Sequence, residues 1–86
     1  MLRVTLYRGR ACGLCDRAEV LLARIGRRLP LAVEAVDIAS DPELEAKYFL
    51  EIPVIEAEGR VIAQGRIAEP ALAAELEALL AERHGP

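Results

Sequence analysis

Apolar residues along this chain recur with two different periods, and the changes of period predict where strands and helices alternate. Residues 4–7 form a short apolar run that is typical of a strand. From residue 12 to about residue 29, apolar residues recur at helical spacing with charged residues between them, which predicts an amphipathic helix that Pro30 ends. Residues 31–38 alternate well enough to predict a second strand.

The second half of the chain predicts shorter elements. Residues 40–43 read Ser-Asp-Pro-Glu, a typical helix start, and the helix is expected to continue through Tyr48. Residues 53–57 and 60–64 predict two strands joined by a tight turn at Glu58-Gly59. Glu69-Pro70 opens a last helix, whose apolar stripe consists of Leu72, Leu76, Leu79 and Leu80.

This order of elements predicts the fold class. The first two strands flank a helix, so they should be parallel, whereas the last two should form an antiparallel hairpin. The result is an α/β fold in the order β-α-β-α-β-β-α, with a four-stranded mixed sheet and helices on both faces. With 86 residues and no linker or repeat, we expect a single domain over residues 1–86.

Composition narrows the function classes. Hydrophobic residues make up 53% of the chain and charged residues 29%, which excludes a disordered or low-complexity protein. No apolar stretch approaches the roughly 20 residues that span a bilayer, so we expect no membrane partner. The first residues alternate as a strand and lack the apolar centre of a signal peptide, so we expect a cytoplasmic protein.

Charge is distributed unevenly over a chain of net charge −3. Residues 1–30 carry seven arginines against two carboxylates, a balance of +5, and residues 31–86 have a balance of −8. We interpret Arg24, Arg27 and Arg28 as a solvated helix face. Because the whole chain is acidic and no aromatic residues interleave with the basic ones, we expect no nucleic-acid partner.

The only two cysteines stand three residues apart in Cys12-Gly13-Leu14-Cys15. At the start of a helix, this spacing places both thiols on one face, close enough for a disulfide. A strand, a tight loop and a helix that opens on the first cysteine form the context in which such a pair indicates redox chemistry. In the cytoplasm, paired thiols are more often catalytic, redox-sensing or metal-binding than structural.

The two thiols are expected to have different roles in such chemistry. Cys12 should lie at the exposed helix N-terminus, where unpaired backbone N–H groups stabilise a thiolate, and Arg8 and Arg10 should add positive potential. We therefore predict that Cys12 is the nucleophile. Cys15 should be more buried and should resolve the mixed disulfide. Asp16 is interpreted first as an acid favourable in a first helical turn, and otherwise as an electrostatic brake or a proton acceptor for Cys15.

Several segments together resemble the glutaredoxin-like family of small thioredoxin-fold proteins, in order over residues 3–80. They are Val4-Thr5-Leu6-Tyr7, Cys12-Gly13-Leu14-Cys15-Asp16, Val36-Asp37-Ile38, residues 48–52, Pro53-Val54-Ile55 and Gly59-Arg60-Val61. The resemblance implies a thioredoxin-like fold and a thiol–disulfide oxidoreductase that acts on protein or glutathione disulfides. It implies no organic cofactor and no metal, because the cysteine pair carries the electrons. A reductase or glutathione would be the electron donor.

The resemblance also assigns substrate-binding positions. It implies a cis bond before Pro53, which would leave the Ile52 backbone free to pair with an extended substrate. Gly65 matches one glycine of the pair that holds glutathione in relatives, whereas Gln64 replaces the other, and Arg66 is expected to bind a carboxylate.

Phe49 stands at the end of a predicted helix, where a glycine would more easily adopt a left-handed backbone. We expect the Phe49 side chain to cover the core.

Two other functions stay open at this point. Cys12 and Cys15 together supply half of a tetrahedral site, so two chains could carry zinc or an iron–sulfur cluster, held by Cys12 alone or by both cysteines of each chain. Alternatively, the chain is an interaction module that has lost redox activity. The only histidine, His84, is interpreted as a solvated residue near the end of the chain.

Overall fold

The computed structural model describes residues 1–83, so His84 lies outside the described residues. Within them, strands and helices follow one another in the predicted order. The elements are β1 (Leu2–Arg8), α1 (Gly13–Gly26), β2 (Leu31–Asp37), α2 (Pro42–Tyr48), β3 (Val54–Ala57), β4 (Arg60–Gln64) and α3 (Glu69–Arg83). A single 3₁₀ turn, Ile38–Ser40, connects β2 to α2. None of the helices in this part of the chain is long and apolar enough to cross a membrane.

The strands form one mixed sheet in the order β2-β1-β3-β4. As predicted, β1 runs parallel to β2, and β3 and β4 form an antiparallel hairpin. Two successive residues with positive φ, Glu58 at 53° and Gly59 at 74°, make the hairpin turn. That geometry follows the twist of the flanking strands, which is why the Glu-Gly pair marks the turn in the sequence.

Helices cover both faces of the sheet, as predicted. Leu2, Val4 and Leu6 point from β1 into the main core, where they meet the apolar stripes of α1 and α3. Those stripes are Ala18, Leu21, Leu22 and Ile25 on α1, and Leu72, Ala73, Leu76, Leu79 and Leu80 on α3. On the opposite face, Tyr7 and Val54 contact Tyr48 of α2 in a second, smaller cluster.

The prediction that α1 continues to Leu29 is wrong. The helix ends at Gly26, and the N–H groups of Arg28 and Leu29 both donate to the carbonyl of Ile25 at 2.9 Å. The chain then turns, so that the carbonyl of Pro30 accepts a hydrogen bond of 2.9 Å from the N–H of Leu2. Glycine weakens a helix by about 1 kcal/mol relative to alanine, and after Gly26 the N–H groups of Arg27 and Arg28 donate to carbonyls three residues back, which tightens the end of the helix.

Two further predictions differ from the structure. Ile38 leaves the strand, because the Asp37 carboxylate accepts a hydrogen bond of 2.9 Å from the N–H of Ala39 and thereby favours a local turn over sheet pairing. Phe49 does not cover the core: its backbone is right-handed helical at φ −59°, and its side chain is 57% exposed.

Candidate redox site

Cys12 and Cys15 lie together at the N-terminus of α1. Cys12 is the N-cap residue with an extended backbone, and Cys15 lies in the first turn. Their sulfur atoms are joined in a disulfide, and their Cα atoms are 5.2 Å apart. That separation falls within the range that disulfides require. The predicted proximity of the two thiols is confirmed.

The two cysteines differ in exposure and in hydrogen bonding. Cys15 has no exposed surface, whereas Cys12 is only partly buried. The backbone N–H of Cys15 points at Cys12 Sγ, with a nitrogen–sulfur distance of 3.2 Å. The Cys12 sulfur therefore occupies the position at which the unpaired N–H groups of a helix stabilise a negative charge.

The loop before Cys12 has an unusual backbone conformation and packs closely against Ile52. Ala11 has φ of 49°, a left-handed conformation that L side chains adopt only when their surroundings impose it. Gly9 approaches Ile52 so closely that a Cβ on Gly9 would lie 2.6 Å from Ile52 Cδ1. The loop that carries Cys12 is therefore seated against the residue before Pro53.

Arg8 connects this loop to α1. Its guanidinium pairs with Asp16 at 2.8 Å and Glu19 at 3.0 Å, and its Nε donates to the carbonyl of Gly9 at 3.2 Å. The hydrogen bonds that Arg8 donates to Asp16 and then to Glu19 raise the pKa of its guanidinium, and the Arg8 side chain is only 18% exposed. Two carboxylates thus offset the positive charge that Arg8 was expected to add beside Cys12.

Removing one of those carboxylates is expected to make Cys12 more reactive. In Asp16→Asn, the helix N-terminus keeps its N–H groups while one negative charge is lost from its first turn, so a thiolate at Cys12 is favoured. We expect the rate of Cys12 alkylation at neutral pH to rise about two- to threefold, because exposed charges interact weakly. The pH profile of iodoacetamide alkylation, read by mass spectrometry on the reduced protein, measures this change.

Glu77→Gln on α3 provides the control, because it changes the net charge by the same amount on another helix. An equal acceleration in both variants would attribute the effect to net charge alone and would contradict a local role for Asp16.

Arg10 is also paired. Its Nε lies 3.1 Å from Asp37 Oδ2, although its side chain is 86% exposed. The hydrogen bond from the N–H of Ala39, followed by the one from Arg10, lowers the pKa of the Asp37 carboxyl below its ordinary value of 3.8. Asp37 thus organises the turn after β2 and holds Arg10 over it.

The lowered pKa of Asp37 predicts a dependence of stability on pH. A carboxylate whose pKa falls on folding stabilises the folded state above its unfolded pKa, and that contribution is lost as the pH falls through the folded value. We expect the free energy of unfolding of the wild type to exceed that of Asp37→Asn at about pH 6 and the gap to narrow below about pH 4. Urea unfolding followed by circular dichroism at both pH values measures the gap, and a constant gap would contradict this assignment.

The remaining predicted site residues lie at the ends of β3 and β4. The bond between Ile52 and Pro53 is cis, as the resemblance implied. Pro53 is buried, and its carbonyl accepts a hydrogen bond of 2.9 Å from the N–H of Gly65. Arg66 is exposed and lines a shallow depression beside α3 that contains none of the other predicted site residues. The structure therefore brings Gly65 to Pro53 but places the Arg66 side chain apart.

Comparison with known proteins decides the family. Residues 3–77 match the model of the glutaredoxin-like domain (DUF836). The chain belongs to the glutaredoxin-like family. It is also similar to target protein XcR50 from X. campestris: the X-ray structure shows 37% identity and a TM-score of 0.75, and the alignment covers 87% of this chain and 96% of that one. Among curated proteins, no match was found.

More distant structures share the fold of this glutaredoxin-like protein. A mutant thioredoxin from Halobacterium salinarum NRC-1 is 22% identical with a TM-score of 0.67, covering 90% of this chain and 73% of that one. Thioredoxin 1 from Thermosipho africanus TCF52B is 12% identical with a TM-score of 0.70, covering 96% and 99%. The predicted thioredoxin-like fold is confirmed.

Sequence reasoning missed a groove of about 580 Å³ beside the cysteine loop of this glutaredoxin-like protein. Gly9 and Arg10 form one side, the turn after β2 a second, and α2 with Phe49 and Ile52 a third. A sequence signal for it does exist. Pro42, Ala46 and Phe49 recur at helical spacing beside the stripe of Leu44 and Tyr48, which contacts the sheet.

No group of three or more potential metal ligands occurs within residues 1–83. In this part of the protein, a metal centre at the cysteines would therefore need ligands from a second chain or from outside the protein.

Proposed function

We propose that this protein is a thiol–disulfide oxidoreductase that cycles between a Cys12–Cys15 disulfide and a dithiol. The observation that carries the proposal is the asymmetry of the pair: Cys12 is accessible and accepts a backbone N–H, whereas Cys15 is completely buried one turn away. An accessible thiolate at a helix N-terminus is suited to attack, and a buried thiol beside it is suited to resolve the product.

The reaction follows from this geometry in two exchange steps. The Cys12 thiolate attacks one sulfur of a substrate disulfide, a bond forms between Cys12 and that sulfur, and the other substrate sulfur leaves as a thiolate with the electron pair. The Cys15 thiolate then attacks Cys12 Sγ and releases the second substrate thiolate. The substrate gains two electrons and takes up two protons, while the protein dithiol becomes the disulfide.

The substrates we propose are disulfides of proteins or of glutathione, approached along Ile52-Pro53. Glutathione or a reductase would return the disulfide to the dithiol, so no organic cofactor is needed. We propose the cytoplasm as the compartment, because its thiol buffers keep such a pair reduced. Neither nucleic acid nor a membrane is proposed as a partner.

A redox titration tests the proposal. Metal-free protein is equilibrated in glutathione buffers of graded potential, quenched in acid and alkylated, and its mass is measured by mass spectrometry. A Cys12→Ala/Cys15→Ala double variant is the control, because it has no thiol to alkylate. We expect a Cys12–Cys15 disulfide with a midpoint between about −180 and −270 mV, the range of cellular oxidoreductases. Formation of neither a disulfide nor a glutathione adduct at any potential would overturn it. Zinc and iron analysis of fresh protein would then test the metal alternative.

A further inference from the structure

The groove lies beside the loop that carries Cys12 and beside the residue that precedes Pro53. Gly9 and Arg10, which line it, precede Cys12 by three and two residues, and Ile52, which also lines it, precedes Pro53. The close approach of Gly9 to Ile52 Cδ1 joins these two sides. An extended chain rises about 3.3 Å per residue, so a substrate side chain two positions from the reacting cysteine lies about 7 Å from it along the chain, on the scale of the two-residue step from Cys12 to Arg10 in the groove wall.

The lining of the groove is mainly apolar. Ile38, Ala39, Pro42, Ala46, Phe49 and Ile52 contribute to it. Phe49 is 57% exposed at its rim and adds apolar surface to it. A volume of about 580 Å³ exceeds that of a single side chain, so the groove accommodates one large apolar side chain together with its backbone.

The charges around the groove disfavour glutathione. Arg10 is held by Asp37 at 3.1 Å, and Glu45 also lines the groove, so one cation faces two carboxylates. Within residues 1–83, Glu45 forms no ion pair. Glutathione carries two carboxylates and one ammonium at neutral pH, so its net charge is negative. The groove lining is also net negative, and the two therefore repel each other.

We propose that this groove selects protein disulfides in which a large apolar residue lies close to the reacting cysteine, in preference to glutathione disulfides. This inference rests on the proposed function, because it names the substrate class of the same cysteine pair. Burial of the apolar side chain against Phe49 and Ile38 supplies the affinity. The carboxylates of Asp37 and Glu45 disfavour an anionic ligand.

The test uses the full chain, reduced with dithiothreitol and desalted, and three disulfides of thionitrobenzoate. One probe is a peptide with leucine two positions before its cysteine, the second has glutamine in place of that leucine, and the third is glutathione. Attack by Cys12 on the peptide sulfur breaks the probe disulfide and releases the yellow thionitrobenzoate anion. Stopped-flow absorbance therefore gives a rate constant for each probe.

We expect the leucine probe to react about tenfold faster than the glutamine and glutathione probes, since burial of a leucine side chain supports a factor of this size. In Phe49→Ser, the ratio of the leucine rate to the glutamine rate should fall severalfold. Leu50→Ser is the matched control, because Leu50 is 79% exposed and does not line the groove, and its ratio should match the wild type.

A charge change tests the second half of the proposal. Glu45→Lys should accelerate the glutathione probe severalfold, whereas Glu43→Lys, on the same helix but outside the groove, should not. Equal rates for the leucine and glutamine probes, or a ratio that Phe49→Ser leaves unchanged, would overturn the inference. A dimer that Phe49→Ser dissociates in sedimentation would also overturn it and would assign the groove to a second copy. Absence of thionitrobenzoate release from every probe would instead overturn the proposed function itself.

Discussion

Replacing Cys12 by serine is expected to reduce disulfide exchange to the uncatalysed background, a loss on the order of 10³-fold or more, as for removal of other catalytic nucleophiles. A serine hydroxyl does not ionise near neutral pH, so no thiolate remains at the helix N-terminus to attack the substrate. Cys15 cannot substitute for it, because its side chain is fully buried. The initial rate with an excess of dithiothreitol and a peptide disulfide measures the loss.

Cys15→Ser provides the matched comparison, because it removes one sulfur from the same motif while leaving Cys12 in place. It should still attack the substrate but should accumulate a Cys12–substrate mixed disulfide, visible as an increase in protein mass after acid quenching. If Cys12→Ser trapped the substrate and Cys15→Ser did not, the roles assigned to the two residues would have to be exchanged.

Leu6→Ala is expected to cost about 2–5 kcal/mol in free energy of unfolding, as for other buried leucines. Leu6 has no exposed surface and lies on β1, between β2 and β3 in the sheet. A domain of this length is typically stable by about 4–13 kcal/mol, so the substitution removes a large fraction of the total. Urea unfolding followed by far-UV circular dichroism measures this loss, because the chain has no Trp whose fluorescence could report unfolding.

Leu50→Ala is the matched control, since the same atoms are removed from a side chain that is 79% exposed. Its effect should stay within about 0.5 kcal/mol. Both variants are compared in the oxidised form so that the disulfide contributes equally. A loss below about 1 kcal/mol for Leu6→Ala would contradict its placement in the main core.

The sequence predicts most of this fold because its local signals agree with its packing. The hairpin at Glu58-Gly59 and the apolar stripe of α3 each depend on neighbours along the chain. The apolar pattern does not predict the end of α1 or the turn at Ile38. At these points, the i→i−3 hydrogen bonds of Arg27 and Arg28 and the Asp37 side chain compete with regular structure. Pattern alone does not weigh such competing hydrogen bonds.

The candidate site is only partly predictable for a related reason. The spacing of Cys12 and Cys15 predicts redox chemistry. Their positions at the start of α1 also predict that Cys12 is accessible and that Cys15 is buried. The ion pairs of Arg8 depend on the packing of α1 against β1, which brings Asp16 and Glu19 to it. The groove is formed by three segments that are distant in the sequence, around Gly9, Asp37 and Phe49. These contacts exist only after the chain has folded. The helical spacing of Pro42, Ala46 and Phe49 indicates only the α2 side of the groove, and the other two sides have no local pattern.

The approach of Gly9 to Ile52 has a consequence for how this protein can diverge. A methyl group added at residue 9 would lie 2.6 Å from Cδ1 at the end of the Ile52 side chain, so this side chain, which lines the groove, would have to shift. Such a mutation would reshape the recognition surface while leaving both sulfurs and the main core in place. If the groove selects substrates as proposed, residue 9 is a position at which a single substitution would alter that selection without changing either cysteine.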